Sequence, residues 1–327
     1  MNRRVSKMSV AAKQRNRNPG GTVPGKKYGI GYYLKKDWQL YLLMLLPMLF
    51  ILIFKFGSYF GLFIAFKDYK VAKGFSGSEW VGWEVFQKIF AKRDFGKAVF
   101  NTLYLNILDL IFGFPMPIIL ALILNEIRNK YFKKVTQTLL YLPHFLSWII
   151  IGAVGYQLFS LNSGVINTIL ENVGAHRIPF LQEDTQWLIT YIAIGVWQSM
   201  GWGTIIYLAS ITSVSPELYE AARVDGAGRF KQCLHVTLPC IRGTIVTLLI
   251  MNLGKVMGGS FERIFAMSNA KVTEYTTTIP VLVYRWGIEN NKFSEATALG
   301  LFQSVIGLLL VLGADFIAKR LGEDGLI

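Results

Sequence analysis

Cysteine, histidine and acidic residues are all scarce in this chain of 327 residues. It has two cysteines, three histidines, and 20 Asp or Glu against 34 Lys or Arg. Cys233 and Cys240 lie seven positions apart without a C-x-x-C motif, and no histidine has zinc-like spacing. We therefore expect two free thiols, with neither a disulfide nor a metal site.

Motifs for nucleotide binding and for catalysis are also missing. The pattern G-x-x-x-x-G-K-[ST] does not occur, and the glycines at 254, 258 and 259 lack the strand and lysine of a phosphate-binding loop. No nucleophile, base and orienting residue can be grouped without an arbitrary choice among distant positions. These absences predict that the chain is not an enzyme and that it binds no cofactor itself.

Charged residues make up only 17% of the chain, whereas hydrophobic residues make up 53%. A transmembrane helix needs about 20 mostly apolar residues to cross a hydrocarbon core of roughly 30 Å. Six blocks meet that requirement, so the sequence predicts an all-α polytopic membrane protein with six transmembrane helices. The blocks are 40–66, 99–125, 135–160, 186–213, 237–261 and 295–318.

The positive charge is distributed as a tail and loops, which indicates topology rather than nucleic-acid binding. Residues 1–37 hold ten Lys or Arg and one acid, Asp37, so we predict a disordered cytoplasmic tail followed by a membrane domain over 38–327. Six crossings then place both termini in the cytoplasm. No cleavable signal precedes the first block. The loop 67–98 is an anomaly, because it is predicted to be external yet holds seven Lys or Arg.

Several polar or helix-breaking residues fall inside the apolar blocks. Asp109 is predicted either to pair with a neighbouring lysine or to satisfy a helix-packing contact. Pro115 and Pro117 favour an interior position for the second crossing, because prolines free backbone carbonyls that lipid cannot satisfy. The spacing of Gly254 and Gly258 is G-x-x-x-G, which indicates close helix packing or a hinge near the pathway.

A short polar helix is predicted between the fourth and fifth blocks, with the sequence ELYEAARVDGAGRFKQCLHVTLP over 217–239. Ser215 and Pro216 supply a capping hydroxyl and a preset backbone angle for its start. Tyr219, Ala222, Gly226, Phe230 and Cys233 then follow at helical spacing and predict one continuous stripe. Because Gly226 weakens a helix, we expect it to allow either a close backbone approach or a bend between two short helices.

This segment resembles the EAA loop of permease subunits of binding-protein-dependent ABC importers, with only Val236 departing from the I-x-L-P ending. The resemblance covers nearly all of the chain after about residue 35. Within the family, the chain is similar to the branch that imports complex oligosaccharides of the rhamnogalacturonan and alginate types. The segments that carry it are AFKDY (65–69), NTLYL (101–105), ALILNEIRN (121–129), QTLLYLPHFLSW (137–148), GWGTIIYLASI (201–211) and YEAARVDGAGR (219–229).

The resemblance implies a six-helix permease core of the maltose-importer type in a bacterial cytoplasmic membrane. The implied partners are a second homologous permease, two ATPase subunits that hold ATP and Mg, and an extracytoplasmic solute-binding protein. It also implies that a cytoplasmic coupling loop at 214–239 docks the ATPase. The docking residues implied by position are Glu220, Ala221, Ala222, Asp225 and Gly226.

For an oligosaccharide pathway, aromatic rings would stack on sugar rings, and polar groups at membrane depth would bind hydroxyls or a carboxylate. The candidates are Trp148, Tyr156, Trp197, Gln198, Trp202, Asn252 and Lys255. Tryptophans can equally be interface anchors, and Lys255 can equally form a salt bridge within the permease pair. We expect the loops 67–98, 161–185 and 262–294 to be external and to face the binding protein, or to be ordinary coil.

Two other classes of protein remain as alternatives. An ion-gradient-driven transporter would need paired carboxylates or a similar ion site near the midplane, where Asp109 stands almost alone, and it leaves the coupling loop unexplained. An assembly protein without transport is less consistent with buried polar residues and helix-breaking prolines.

Overall fold

The computed structural model describes residues 30–322 and 325, in two compact units that meet between Tyr59 and Phe60. The described part of the first unit is helical except at Asp37, so the helix from Ile30 differs from the disordered tail expected up to residue 37. The rest of that tail lies outside the described residues. The elements of this unit are α1 (Ile30–Lys36), α2 (Trp38–Phe50) and a π-helix (Ile51–Phe56), followed by a 3-10 helix (Gly57–Phe66) that runs on into the second unit.

Near the start of the second unit lies a small two-stranded structure that the sequence did not predict. Lys67 pairs with Trp80 and Asp68 with Glu79 in a two-stranded antiparallel sheet, and the ring of Phe66 stacks on Trp80 at 5.7 Å between centroids. The elements here are β1 (Lys67–Asp68), a 3-10 turn (Val71–Lys73), α3 (Gly74–Gly77), β2 (Glu79–Trp80) and α4 (Glu84–Phe90).

Long apolar helices dominate the rest of the described chain and confirm the all-α fold. Four uninterrupted runs are long and apolar enough to cross a membrane, and two bent pairs raise the number to six if each pair is one span. The runs are Trp38–Phe66, Arg93–Glu126, Asp184–Thr212 and Phe293–Arg320. They contain α5 (Arg93–Gly113), α6 (Pro115–Glu126), α10 (Asp184–Thr212) and α18 (Phe293–Arg320).

The third and fifth spans, expected as helices over 135–160 and 237–261, are broken. The third bends by 102° between Phe145 and Trp148, where Leu146 and Ser147 have extended backbone angles, and Ser147 then caps the next helix through Ile150 N at 3.4 Å. The fifth bends by 63° after Pro239. Their parts are α7 (Lys130–Tyr141), a 3-10 turn (Leu142–Phe145), α8 (Trp148–Phe159), α12 (Arg229–Gln232), a π-turn (Cys233–Thr237), α13 (Leu238–Cys240) and α14 (Arg242–Lys255).

Close packing explains Gly254 on α14, whereas Gly258, the other glycine of the motif, lies beyond the end of that helix. A Cβ on Gly254 would lie 2.3 Å from Cγ2 of Val311 in α18, and a Cβ on Gly307 would lie 3.2 Å from the Gly254 carbonyl oxygen. The backbones of the two helices therefore touch at this point, as the G-x-x-x-G spacing indicates. In the second span Pro117 is buried, as expected, whereas Pro115 is exposed.

The segment 262–294 is a packed helical region and not the ordinary coil that was one expectation for it. Three side chains of spanning helices bond its backbone: Asn101 donates to the Glu274 and Thr277 carbonyls, Thr102 accepts from Ile279 N, and Trp187 donates to the Met267 carbonyl at 2.9 Å. Its elements are α15 (Phe261–Met267), α16 (Thr273–Thr276), α17 (Ile279–Tyr284) and a π-turn (Arg285–Glu289). The segment 161–185, which was also expected to be an external loop, holds α9 (Val165–Asn172) and the first residues of α10.

Candidate coupling segment and pathway residues

The segment between α10 and α14 begins with a capped amphipathic helix, α11 (Pro216–Val224). The hydroxyl of Ser215 accepts a hydrogen bond from Glu217 N at 3.4 Å, Pro216 occupies the first helical turn, and Glu217 places a negative charge at the positive end of the helix dipole. The start of this helix is therefore set by local sequence, independently of any apolar core.

The end of α11 is set by Gly226, whose φ of +78° lies in the left-handed region. Ala227 N donates to the Ala222 carbonyl at 2.8 Å and Gly226 N to the Arg223 carbonyl at 3.0 Å, which is the Schellman pair of bonds. The continuous stripe predicted across Gly226 is therefore wrong, because the helix stops there and α12 starts anew. Nothing lies within 4 Å of a Cβ at Gly226, so its role is the bend and not a close approach.

The five residues with a predicted docking role lie together on this segment. Glu220, Ala221, Asp225 and Gly226 are exposed, and Ala222 is half-buried. Three large apolar side chains are exposed beside them, namely Leu218, Val224 and Phe230, the last two at 88% and 80%. A polar segment that leaves such side chains uncovered presents a surface suited to a protein partner.

The seven predicted pathway residues are distributed over three helices. Trp148 and Tyr156 lie on α8, Asn252 and Lys255 on α14, and Trp197, Gln198 and Trp202 on α10. Gln198 is buried, Trp148 and Asn252 are half-buried, and the other four are exposed.

These residues do not form a single site within the described chain. Trp197 and Trp202 are similarly exposed, at 45% and 46%, but five helical positions place them about 140° apart around α10. Trp202 stacks on His144 with 4.7 Å between ring centroids and packs perpendicular to Phe145. Trp197 and Trp202 thus face different surroundings. The aromatic cluster around Trp202 also contains His144 and Phe145, which the sequence did not suggest.

Asn252 and Lys255 lie one turn apart near the end of α14. The amide of Asn252 donates to the Leu248 carbonyl at 2.7 Å, so one of its donors is used within the helix. Lys255 is exposed, and no acidic residue in the described part of the chain lies within salt-bridge distance of its ammonium group. Its charge is therefore available to a ligand or to a partner subunit.

Asp109 is paired with Arg263, a residue that the sequence analysis placed in an external loop. Nη1 of Arg263 donates to Oδ2 of Asp109 at 2.7 Å, and Nη2 donates to the carbonyl of Tyr191. The guanidinium carbon also lies 3.6 Å from the centre of the Tyr191 ring and 5.5 Å from that of Trp148. The partner of Asp109 is thus an arginine from α15 rather than a lysine.

Gly195 makes room for this arginine. A Cβ at Gly195 would lie 2.1 Å from the guanidinium carbon, so no side chain fits at that position in α10. The side chain of Arg263 is 7% exposed and that of Asp109 26%, and the pair joins α5, α10 and α15. The sequence signal for this pair was an arginine next to an apolar run. It was not recognised because α15 is too short to be identified from hydropathy as part of a span.

We predict that the two members of this pair depend on each other. Asp109→Asn or Arg263→Gln alone should lower the yield of folded protein strongly, because removing one partner of a buried pair costs about 3–5 kcal/mol. Asp109→Asn combined with Arg263→Gln should recover much of the loss, since no unpaired charge remains. Size-exclusion recovery after detergent extraction measures this, and a double variant worse than both single variants would contradict it.

Comparison with known proteins agrees with this architecture. Residues 113–323 match the family described as the inner membrane component of binding-protein-dependent transport systems. The chain is 43% identical over 294 residues to Protein LplB of Bacillus subtilis (strain 168), covering 90% of this chain and 92% of that protein. It is 42% identical over 287 residues to the polygalacturonan/rhamnogalacturonan transport system permease protein YteP of the same organism, covering 88% and 89%.

Solved structures give the same assignment. A chain of a bacterial alginate ABC transporter, in complex with an alginate pentasaccharide-bound periplasmic protein, superimposes with a TM-score of 0.82 at 37% identity, covering 91% of this chain and 99% of that chain. These matches cover the spans and the exposed segment between the fourth and fifth of them. This chain belongs to the family of inner membrane components of binding-protein-dependent transport systems.

Proposed function

We propose that this chain is one permease of an ATP-driven oligosaccharide importer that works by alternating access. The observation that carries the proposal is the capped, exposed helix α11 with its glycine-terminated end, placed between two spans. It docks one of two ATPase subunits, which hold the ATP and Mg. A second permease completes the pathway, and a solute-binding protein delivers the sugar from outside. Both termini lie in the cytoplasm of a bacterial cell.

The break in the third span supports a pathway beside Trp202. Non-helical backbone at membrane depth is tolerated only when it is buried in protein or lines a water-filled cavity. The break itself is at Leu146 and Ser147. The turn Leu142–Phe145 directly before it places His144 and Phe145 against Trp202, and Phe145 is 70% exposed. We infer that this turn faces the partner permease and the sugar rather than lipid, and that Trp202 offers its ring to a sugar.

Acidic oligosaccharides are the substrate class that fits the exposed cation at Lys255. One relative is named for polygalacturonan and rhamnogalacturonan transport, and the structural neighbour imports alginate. These are acidic polysaccharides, and a lysine without an acidic partner among the described residues is suited to a sugar carboxylate. The ion-gradient alternative loses support, since Asp109 already pairs with Arg263.

Partner capture tests the proposal and the role of Gly226 together. The tagged chain, extracted gently from its native membranes, should bring down a second permease and an ATPase. Gly226→Leu should retain the second permease but release most of the ATPase, because a side chain at φ +78° costs about 1–2 kcal/mol and distorts the end of α11.

Gly228→Ala is the matched control for this variant. It lies in the same loop, has an ordinary φ of −68°, and has open space around its Cβ position. Equal ATPase retention in Gly226→Leu and the wild type would contradict the docking role of this bend. Recovery of the folded chain without any ATPase would contradict the importer itself.

Lys255→Met should reduce uptake of an acidic oligosaccharide by about tenfold or more, while uptake of a neutral one of equal length changes little. Transport into proteoliposomes that contain the whole complex measures both. Lys55→Met is the control, since Lys55 is also an exposed lysine within an apolar span, and its stem is expected to carry the charge to the membrane interface. Equal losses for the two sugars would contradict a carboxylate contact.

A further inference from the structure

A polar notch of about 700 Å³ lies between the coupling segment and the loop that follows α6. One wall is formed by residues 125–128, and the other by parts of α11, α12 and the π-turn after it. The notch therefore joins two elements that are remote in sequence: the end of the second span and the proposed ATPase-docking segment.

Positive charge predominates in this notch. Arg128, Arg223 and Arg229 line it together with one acidic residue, Glu126. Glu126 is committed to Arg229 at 3.6 Å. In the described part of the chain neither Arg128 nor Arg223 has an acidic partner, and both are exposed. Two guanidinium groups are thus available to an anion.

The walls of the notch are held by hydrogen bonds. The hydroxyl of Tyr219 lies 3.0 Å from that of Thr237, and the amide of Gln232 donates to the Ala227 carbonyl at 2.7 Å. These bonds fix α11 against the start of the fifth span before any partner arrives. A partner therefore meets a preformed surface and spends little free energy on ordering it.

We propose that this notch receives a carboxylate side chain that projects from the ATPase subunit, held by Arg128 and Arg223. The inference rests on the proposed function. An ATPase that covers the exposed side of α11 also reaches Arg223, which is on the same helix. Arginine is suited to the contact because its planar fork matches a carboxylate with two parallel hydrogen bonds.

A docked protein group fits the notch better than a free anion. Exposed charges are screened by salt and hold a small ion weakly. A carboxylate that arrives as part of an already docked subunit loses little additional freedom on binding. The consequence is that docking engages α6 as well as the coupling helix, so movement of the ATPase acts directly on the second span.

Charge reversal in the complete complex tests this inference. Arg128→Glu with Arg223→Glu should speed ATPase dissociation on dilution about tenfold, and the dissociation rate should lose much of its salt dependence. The second permease should be retained as in the wild type. Arg128→Gln with Arg223→Gln should give a smaller effect in the same direction. Lys231→Glu is the control, because Lys231 is exposed on α12 but does not line the notch.

The two natural cysteines provide an independent readout. Cys233 lines the notch, whereas Cys240 is exposed outside it. In the wild-type complex a maleimide should label Cys233 slowly, and the double charge reversal should speed that labelling while leaving Cys240 unchanged. Replacing the matching ATPase carboxylate by lysine should restore slow dissociation to the charge-reversed permease, which only a direct contact explains.

Three results would overturn the inference. Wild-type dissociation and labelling in the double variant, or an equal effect of Lys231→Glu, would show that the notch makes no specific contact. Inorganic phosphate that alters wild-type ATPase activity at fixed ionic strength, through Arg128 and Arg223 but without any change in ATPase retention, would identify a free-anion site instead. A wild-type complex without any ATPase would count against the proposed function and not against the notch alone.

Discussion

Backbone N–H and C=O groups inside a bilayer must find partners within the protein, and the irregular parts of this chain are built around that constraint. The segment between α14 and α18 shows how it is met. Asn101 and Thr102 on α5 and Trp187 on α10 hydrogen-bond its backbone, which a regular helix would satisfy internally. Short helices that would be unstable alone are thereby fixed to the spanning helices.

The same constraint distinguishes polar residues that are already paired within the subunit from those whose polar groups are free to bind a ligand or a partner. Asn101, Thr102, Asp109 and Arg263 are spent on backbone groups or on each other, so their polarity at membrane depth has an explanation within the subunit. Lys255 has no such acidic partner among the described residues, and Trp202 keeps nearly half of its surface exposed. A polar residue in a span therefore indicates a pathway more strongly when it has no partner within the subunit than when it is already paired there.

The sequence was sufficient to predict the fold class, because long apolar runs and a charged tail leave few other solutions for such a chain. It also predicted the helix start at Ser215 and Pro216, which depends on neighbouring residues only. What it missed are features that arise between distant segments. The pairing of Asp109 with Arg263 joins positions 154 residues apart, and it needs the space left by Gly195. Neither the arginine nor the glycine identifies the other.

Gly226 shows why spacing alone misleads at a helix end. Its position fits an uninterrupted apolar stripe, and a glycine within such a stripe suggests a packing contact. Its positive φ instead ends the helix, so the residues beyond it take a new direction, and the resulting pair of short helices encloses the notch. The helical spacing of residues 219–233 continues across the bend although the helix does not. The positive φ that ends the helix is one that glycine adopts without strain.

The exposed side of α14 is fixed by an argument of the same kind. Gly254 must face α18, because their backbones touch, and Lys255 points about 100° away from it around the helix. A lysine charge left in hydrocarbon costs about 2.5–3.5 kcal/mol on insertion scales, so that side of α14 meets water, a ligand or a partner. Close packing on one side of the helix and a cation on the other thus orient the fifth span before any partner is considered.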